Sequence, residues 1–477
     1  MLWISIDRSL HIPLFRQVYE QIRERILHGE LQAEEKLPST RELASELNVS
    51  RNVILEAYDQ LLAEGFLVTR RGAGTFVAEG TYLKTHKKTF GYDFFDVEKN
   101  SDHTGEDIIN FRSGIPALDL FPRGNWAKLA HAVWNDTATS MFGYDFPEGR
   151  LELRQVLSRY LLKTRGVHCH PDQLVITSGA TQALTLVAKL LVSQGDKIII
   201  EDPITDDIQT IFKEAGAILH PIPVDENGMK TSLLPFPAAP KFVFVTPSHQ
   251  FPLGGTLPIQ RRIQLIHYSR KVDNYLVEDD YDSEFRYDGP PISSLQGLDP
   301  ERVIYIGSFS KILSPALRIG YVLLPANLIE KCRKLKWFTD LHNPSIDQLI
   351  LARFIDEGYL ERHIHKMKKI YKSRRDVLIH CLKRTFKNKI SIFGYSTGLH
   401  LVVQWKQWYF SKEMLANIEP FGVKIYPVED HAIKKGNHHQ RIILGYGHLK
   451  KEDIEEGVAR LHRAIESVQS TKKTNEI

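Results

Sequence analysis

Five short apolar runs constrain this chain more than any other feature. Leu174-Val-Ile-Thr177, Lys197-Ile-Ile-Ile200, Phe242-Val-Phe-Val245, Tyr275-Leu-Val-Glu278 and Val303-Ile-Tyr-Ile306 are bounded by Gly, Pro or Asp and separated by segments of helical spacing. Runs of this kind are buried on both faces, and strands separated by helices pair in parallel. The expected architecture is a mostly parallel α/β sheet with helices on both sides, its ligand chemistry at the carboxyl ends of the strands. The last run leads into Gly307-Ser-Phe-Ser-Lys-Ile-Leu-Ser-Pro-Ala-Leu-Arg-Ile-Gly-Tyr321. A lysine leaving a strand end in apolar surroundings has its ammonium form disfavoured, so its amine becomes available for a Schiff base. Ser308 and Arg318 flank Lys311 with hydroxyl and guanidinium donors for one phosphate. An amine beside a phosphate seat is what pyridoxal 5'-phosphate (PLP) requires. The bland alternative is a surface lysine in a loop near a structural arginine.

Two further strand ends carry complementary groups. Thr177-Ser-Gly-Ala-Thr-Gln-Ala-Leu184 turns from strand to helix, where the N–H groups of Gly179, Ala180 and Thr181 and the helix dipole can hold a phosphate. Alone this is weak, because any strand-to-helix turn can carry glycine. Glu278-Asp-Asp-Tyr281 closes another run with carboxylates and a phenol. An aspartate there can keep a pyridine nitrogen protonated, and a tyrosine hydroxyl can bond the ring's phenolic oxygen. Helix capping or a solvated turn is the competing explanation. Three such strand ends in one chain make a joint cofactor site the better reading.

The first eighty residues have a different grammar. Leu14, Val18, Ile22 and Ile26 make one face of a helix that Gly29 can end. Ser39 and Glu42 form a capping box for a short second helix with Leu43, Ala44 and Leu47 inward, and Asn48 can close it. Ser50 is placed to cap a third helix carrying Val53, Ala57, Tyr58 and Leu61. Two short helices joined by so tight a turn read as helix-turn-helix. The hairpin Phe66–Val77, with Arg70-Arg-Gly-Ala-Gly74 at its tip, reads as a wing. In that geometry the start of the third helix enters the major groove, where Arg51 suits guanine and Asn52 suits adenine. Arg41 faces backbone or base from the second helix, and Arg70 or Arg71 reaches the adjacent groove from the wing. The competing explanation is a small helical domain with solvated arginines. Acidic residues outnumber basic ones here, but the acids fall mostly off the face that carries the arginines.

Composition adds bounds rather than identity. The chain has 477 residues, 42% hydrophobic and 25% charged, with a net charge of +4, so a basic surface must be local. Cys169, Cys332 and Cys381 are too scattered for a disulfide framework or thiolate metal site, and no metal is expected. The start lacks the pattern of a signal peptide and no apolar run could span a bilayer, so a cytoplasmic protein is expected. The expected domains are 1–79 (DNA binding), 80–107 (an aperiodic linker draped through Phe90, Tyr92, Phe94 and Phe95) and 108–477 (effector).

The order Leu37-Pro-Ser-x-Arg41-x-Leu-Ala, Val49-Ser-Arg, Leu61-x-x-x-Gly-Phe-Leu and Arg71-Gly-x-Gly-Thr-Phe-Val77 resembles the winged helix-turn-helix of GntR-type regulators. By that resemblance Arg41, Ser50, Arg51, Asn52, Val53, Arg71 and Gly72 are DNA-contact positions, and Leu55 stands where some relatives carry a basic one. From about Asn110 to Ser467 the chain resembles a fold-type-I aminotransferase, and as a whole it resembles the MocR/GabR regulators. The stretches that carry this include Phe111-Arg-Ser-Gly-Ile-Pro, Tyr144-Asp-Phe-Pro-Glu-Gly149, Glu201-Asp-Pro203, Thr246-Pro-Ser-His-Gln-Phe-Pro252 and Glu278–Arg286. The resemblance implies a PLP cofactor with Lys311 as its Schiff-base lysine. It pairs Asp279 with the pyridine nitrogen, with Asp280 as the neighbouring candidate, and Tyr281 with the phenolic oxygen. Gly179, Ala180, Thr181, Ser308 and Arg318 surround the phosphate, joined by Tyr144 from a second subunit, and Arg441 grips an effector carboxylate. It further implies a homodimer on a double-stranded operator and a small-molecule effector, either an amine, an amino acid or PLP itself. Three positions depart from the pattern: Thr205 replaces a stacking aromatic, Asp207 a basic effector contact, and Phe251 an asparagine. A regulator is therefore expected, with a working aminotransferase carrying an accessory DNA-binding domain as the alternative.

Overall fold

The computed structural model describes residues 4–83, 108–237 and 239–475. The chain separates into two compact units, Met1–His103 and Thr104–Ile477. Nearly all of the expected linker, including its four aromatics, lies outside the described residues.

The first unit consists of α1 (Leu14–Leu27), α2 (Thr40–Glu46), α3 (Arg51–Ala63) and a hairpin of β1 (Leu67–Arg70) and β2 (Gly74–Val77). Val18, Ile22 and Ile26 share one core with Leu43, Ala44, Ala57, Tyr58 and Leu61. The deep residue at the start of α3 is Ile54, whereas Val53 is only partly buried. Position 54 keeps i, i+3, i+4, i+7 spacing with 57, 58 and 61, which leaves 53 at the edge of the stripe. The capping box at α2 is present: Glu42 N–H donates to Ser39 Oγ at 3.3 Å, and Ser39 N–H to the Glu42 carboxylate at 2.8 Å. Ser50 precedes α3 but its hydroxyl makes no capping bond, so that expected cap is not formed. Arg70 faces Gly74 across the hairpin, and Arg71, Gly72 and Ala73 form its tip.

In the second unit, β3 (Ile109–Asn110) precedes a sheet of β4 (Leu174–Thr177), β5 (Lys197–Asp202), β6 (Ile218–Asp225), β7 (Gly228–Met229), β8 (Phe242–Val245), β9 (Tyr275–Asp280), β10 (Val303–Ser308) and β11 (Gly320–Leu323). Their spatial order is β4-β11-β10-β9-β8-β5-β6-β7. The pairs from β10 through β9, β8 and β5 to β6 are parallel, while β11 runs antiparallel between β10 and β4. Side chains alternate along each strand, so Val175, Ile200, Phe244 and Ile306 join one core while Ile176, Tyr305 and Leu323 join another. The helices that complete these layers are α4 (Arg123–Asp136), α5 (Leu151–Arg165), α6 (Ala180–Leu191), α7 (Asp206–Glu214), α8 (Ile259–Val272), α9 (Ile329–Asp340), α10 (Ser345–Asp356) and α11 (Tyr359–Phe386).

Strands β5, β9 and β10 each run two residues past the apolar run that signals them, because ladder hydrogen bonds need backbone and not apolar side chains. This puts Asp279 opposite Ile306 and Asp280 opposite Gly307 inside the sheet. Strands β3, β6, β7 and β11 and the carboxyl-terminal sheet of Ile390–Phe393, His400–Trp405, Arg441–Gly445 and Tyr426–Pro427 lie outside the five apolar runs. Among the described residues no helix is long and apolar enough to cross a membrane.

Candidate functional site

The pleat sends the two carboxylates that end β9 to opposite faces. Asp280 is spent on structure: its Oδ2 lies 2.7 Å from the Arg165 guanidinium and accepts from the Tyr305 hydroxyl at 2.5 Å, all three groups being buried. Asp279 has no comparable partner, and its buried Oδ1 has no hydrogen bond among the described residues. Burial first, then Asp280 and Asp282, push its carboxyl up to about 7, against the pull of Lys311. A cation placed against Asp279 would restore its charge.

Lys311 follows β10 by three residues, and its Nζ donates to the Gly114 carbonyl at 2.5 Å. Burial holds the amine below the ordinary lysine range; Arg112 acts in the same direction, and Asp282 and Asp279 oppose it. Ser308 closes β10, buried, with its Oγ 2.9 Å from Ser310 Oγ. Gly179 immediately precedes α6 with φ 108°, and a Cβ there would fall 3.2 Å from Arg318 Nη2, so glycine lets the guanidinium lie against the turn. The Arg318 guanidinium has no hydrogen bond among the described residues. No side chain caps α6 and its first turn holds no acid, which leaves N–H groups around Ala180 and Thr181 open to an anion.

Tyr281 donates from its hydroxyl to the His249 carbonyl at 2.9 Å. The Phe251 ring meets Tyr281 edge-on at 6.4 Å, and His400 and His431 at 5.2 Å each. Thr205 presents no ring: its hydroxyl accepts from Asp207 N–H at 3.3 Å and starts α7. Arg441 donates to Gln404 Oε1 at 3.0 Å and lies 3.3 Å from His438 Nδ1, within the carboxyl-terminal sheet. Tyr144 is 84% exposed and its ring meets that of His342 edge-on. His249, Asp282 and His400 are a buried trio with polar atoms within 4.8 Å of one another. Asp282 and His249 Nδ1 bond each other and His400 Nε2 lies 3.0 Å from the Pro252 carbonyl, whereas the buried His249 Nε2 has no hydrogen bond among the described residues. Sequence reasoning gave no role to His249, Asp282, Gly114 or Arg112. The signal available was a histidine and an aspartate inside the two stretches Thr246–Pro252 and Glu278–Arg286.

On the first unit, Arg41, Arg51, Asn52 and Arg71 are exposed, as are Ser50 and Leu55, on α2, α3 and the wing tip. Arg51 Nε reaches Thr40 Oγ1 at 3.4 Å. Arg70, half exposed, pairs with Glu34 and lies over the Phe76 ring at 4.9 Å. The acids are largely occupied locally, Glu20 by Arg16, Glu34 by Arg70 and Glu64 by the Tyr19 hydroxyl.

Fold and site thus define a winged-helix unit joined to an aminotransferase-like one, and comparison with known proteins agrees. Residues 14–77 match the bacterial regulatory proteins of the gntR family, and residues 106–472 match aminotransferase class I and II. The probable rhizopine catabolism regulatory protein MocR of Rhizobium meliloti is 33% identical over 98% of this chain and 97% of its own. The pyridoxine biosynthesis transcriptional regulator PdxR of Corynebacterium glutamicum is 31% identical over 76% and 77% respectively. Among solved structures, the multiple substrate aminotransferase of Thermococcus profundus superposes with a TM-score of 0.72 at 29% identity, over 77% of this chain and 93% of its own. The chain belongs to the MocR-type helix-turn-helix transcriptional regulators, with a GntR domain followed by a class I and II aminotransferase domain.

Proposed function

We propose that the chain is a PLP-dependent regulator that reads operator DNA with its first unit and a small molecule with its second. The observation that carries this is an orphaned buried carboxylate (Asp279) electrostatically coupled to a desolvated amine (Lys311), on one chain with an arginine-bearing winged helix. PLP fits these groups: Asp279 would hold the proton on the ring nitrogen, and Tyr281 would donate to the phenolic oxygen. Ser308, Arg318 and the N–H groups from Gly179 to Thr181 would take the phosphate. When bound, PLP supplies an electrophilic carbon and an electron-withdrawing ring. Lys311 supplies the amine for it, and burial keeps that amine unprotonated more readily than a surface lysine.

The effector reading is an amine, an amino acid or PLP itself. Arg441 is the candidate for an effector carboxylate, and the name of the pyridoxine biosynthesis relative makes PLP a natural member of the set. Thr205 gives no stacking surface, which weighs against efficient turnover as an aminotransferase. Exposed aromatics at Tyr144, Phe146 and Phe338 (84%, 70% and 78%) support a homodimer in which a second copy covers them. DNA contacts are assigned to Arg41, Ser50, Arg51, Asn52, Val53, Arg71 and Gly72, and the setting to the cytoplasm. The test is an absorbance scan of purified protein with PLP, alone and with a panel of amines. The expected result is a visible band that Lys311→Ala abolishes. Wild-type protein that acquires no such band at saturating PLP refutes the reading.

A further inference from the structure

Tyr281 is held by a pair of buried residues that lie 33 positions apart from each other in sequence. Its hydroxyl donates to the His249 carbonyl at 2.9 Å and lies 3.1 Å from His249 Nδ1. The same Nδ1 is 3.0 and 3.1 Å from the two Asp282 oxygens, and both side chains are buried. Facing two carboxylate oxygens, Nδ1 must carry the proton, so it cannot accept from Tyr281; the single O–H proton goes to the His249 carbonyl here and would turn from it to reach a cofactor oxygen. A Cβ on Gly398 (φ 81°) would fall 2.2 Å from Asp282 Oδ2 and 2.3 Å from His249 Cε1, so only glycine lets the pair close.

Other charged groups surround this arrangement. Asp279, Glu201 and Asp280 act on Tyr281 in addition to Asp282. Arg112 acts on the Lys311 amine, together with Asp282 and Asp279. The His400 and His249 ring centroids are 4.9 Å apart, and His431 also acts on His400. Among the described residues, only His249 is hydrogen-bonded to the Tyr281 hydroxyl.

We propose that Asp282 and His249 form a positioning dyad that keeps Tyr281 a donor toward the cofactor's phenolic oxygen and thereby sets the pH midpoint of the Lys311-dependent absorbance band. This rests on the PLP reading above. Two variants then move the midpoint in opposite directions. In His249→Phe the Asp282 carboxylate loses its N–H partner and draws the Tyr281 hydroxyl to itself. The phenolic oxygen keeps more negative charge, and the neighbouring nitrogen stays protonated to higher pH. In Asp282→Asn an oxygen still accepts from Nδ1, but a negative charge near Lys311 is gone, so the midpoint falls.

The experiment is a pH titration of that band in PLP-loaded full-length protein. His249→Phe is expected to raise the midpoint by about one pH unit, a tenfold change in proton affinity, and Asp282→Asn to lower it. His249→Asn, whose amide can donate to Asp282, is expected to stay near wild type. In a Tyr281→Phe background His249→Phe is expected to add nothing, because it acts through that hydroxyl. An unmoved midpoint in His249→Phe, or a full additive shift in the Tyr281→Phe background, overturns the dyad. Should His249→Phe fail to fold, His249→Leu, which likewise removes the N–H donor, decides by the same criterion. A wild type without the band refutes the PLP reading, whereas a normal band with unmoved variants refutes the dyad alone.

Discussion

Asp279 and Asp280 are adjacent, both buried and chemically identical, yet their amide variants should change stability in opposite directions. In cofactor-free protein Asp279 holds a proton up to about pH 7, whereas in the unfolded chain it ionises near its ordinary value of 3.8. Between those values the folded state carries a proton the unfolded chain has lost, so stability falls as pH rises through that window and the full penalty is present above it. A rise of about three pH units corresponds to about 4 kcal/mol, an upper figure because Asp280 and Asp282 share in the shift. Asp279→Asn removes that penalty and should stabilise the cofactor-free protein by a few kcal/mol at pH 8 and by little at pH 4. Asp280→Asn strips the buried Arg165 guanidinium of its carboxylate, which lies 2.7 Å away, and should cost about 3–5 kcal/mol. Denaturant unfolding of the second unit at pH 4 and pH 8 measures both. Equal destabilisation by the two variants, or an Asp279→Asn gain that ignores pH, would refute the assignment of open and structural carboxylates.

Arg71→Ala at the wing tip should weaken operator binding and lower the salt slope by about one. Arg70→Ala should chiefly loosen the wing, since Arg70 is paired with Glu34 and stacked on Phe76. Anisotropy titrations across salt concentration, with hydrogen exchange of the hairpin, separate the two. Ser39→Ala should cost the first unit about 1 kcal/mol through loss of the capping box, read as a lower unfolding midpoint with the second unit's transition unchanged.

The winged unit was legible because its boundaries are written locally: Ser39 with Glu42 and Gly29 are short-range signals that the structure uses in place. Ser50 shows the limit, because a capping residue type does not oblige a capping bond. In the larger unit, four-residue apolar runs located β4, β5, β8, β9 and β10 but missed the polar ends of β5, β9 and β10, which carry Asp279 and Ser308. Strand β11 was missed because it begins inside the stretch read as the lysine loop, at Gly320. Spacing could not choose between Asp279 and Asp280, which differ only in the face the pleat gives them. The link from Tyr281 through His249 to Asp282 joins strand ends far apart in sequence, so no local pattern announces it.

The account's central claim is that events at Lys311 bias DNA binding by the winged unit. The direct measurement is the affinity of full-length protein for an operator duplex selected from a random pool. It is made without PLP, with PLP, and with PLP plus each member of an amine and amino-acid panel. Wild-type affinity is expected to change about fivefold or more in at least one of these states, a change that Lys311→Ala abolishes. Affinity that stays constant across all of them, while the absorbance band appears normally, would contradict the claim.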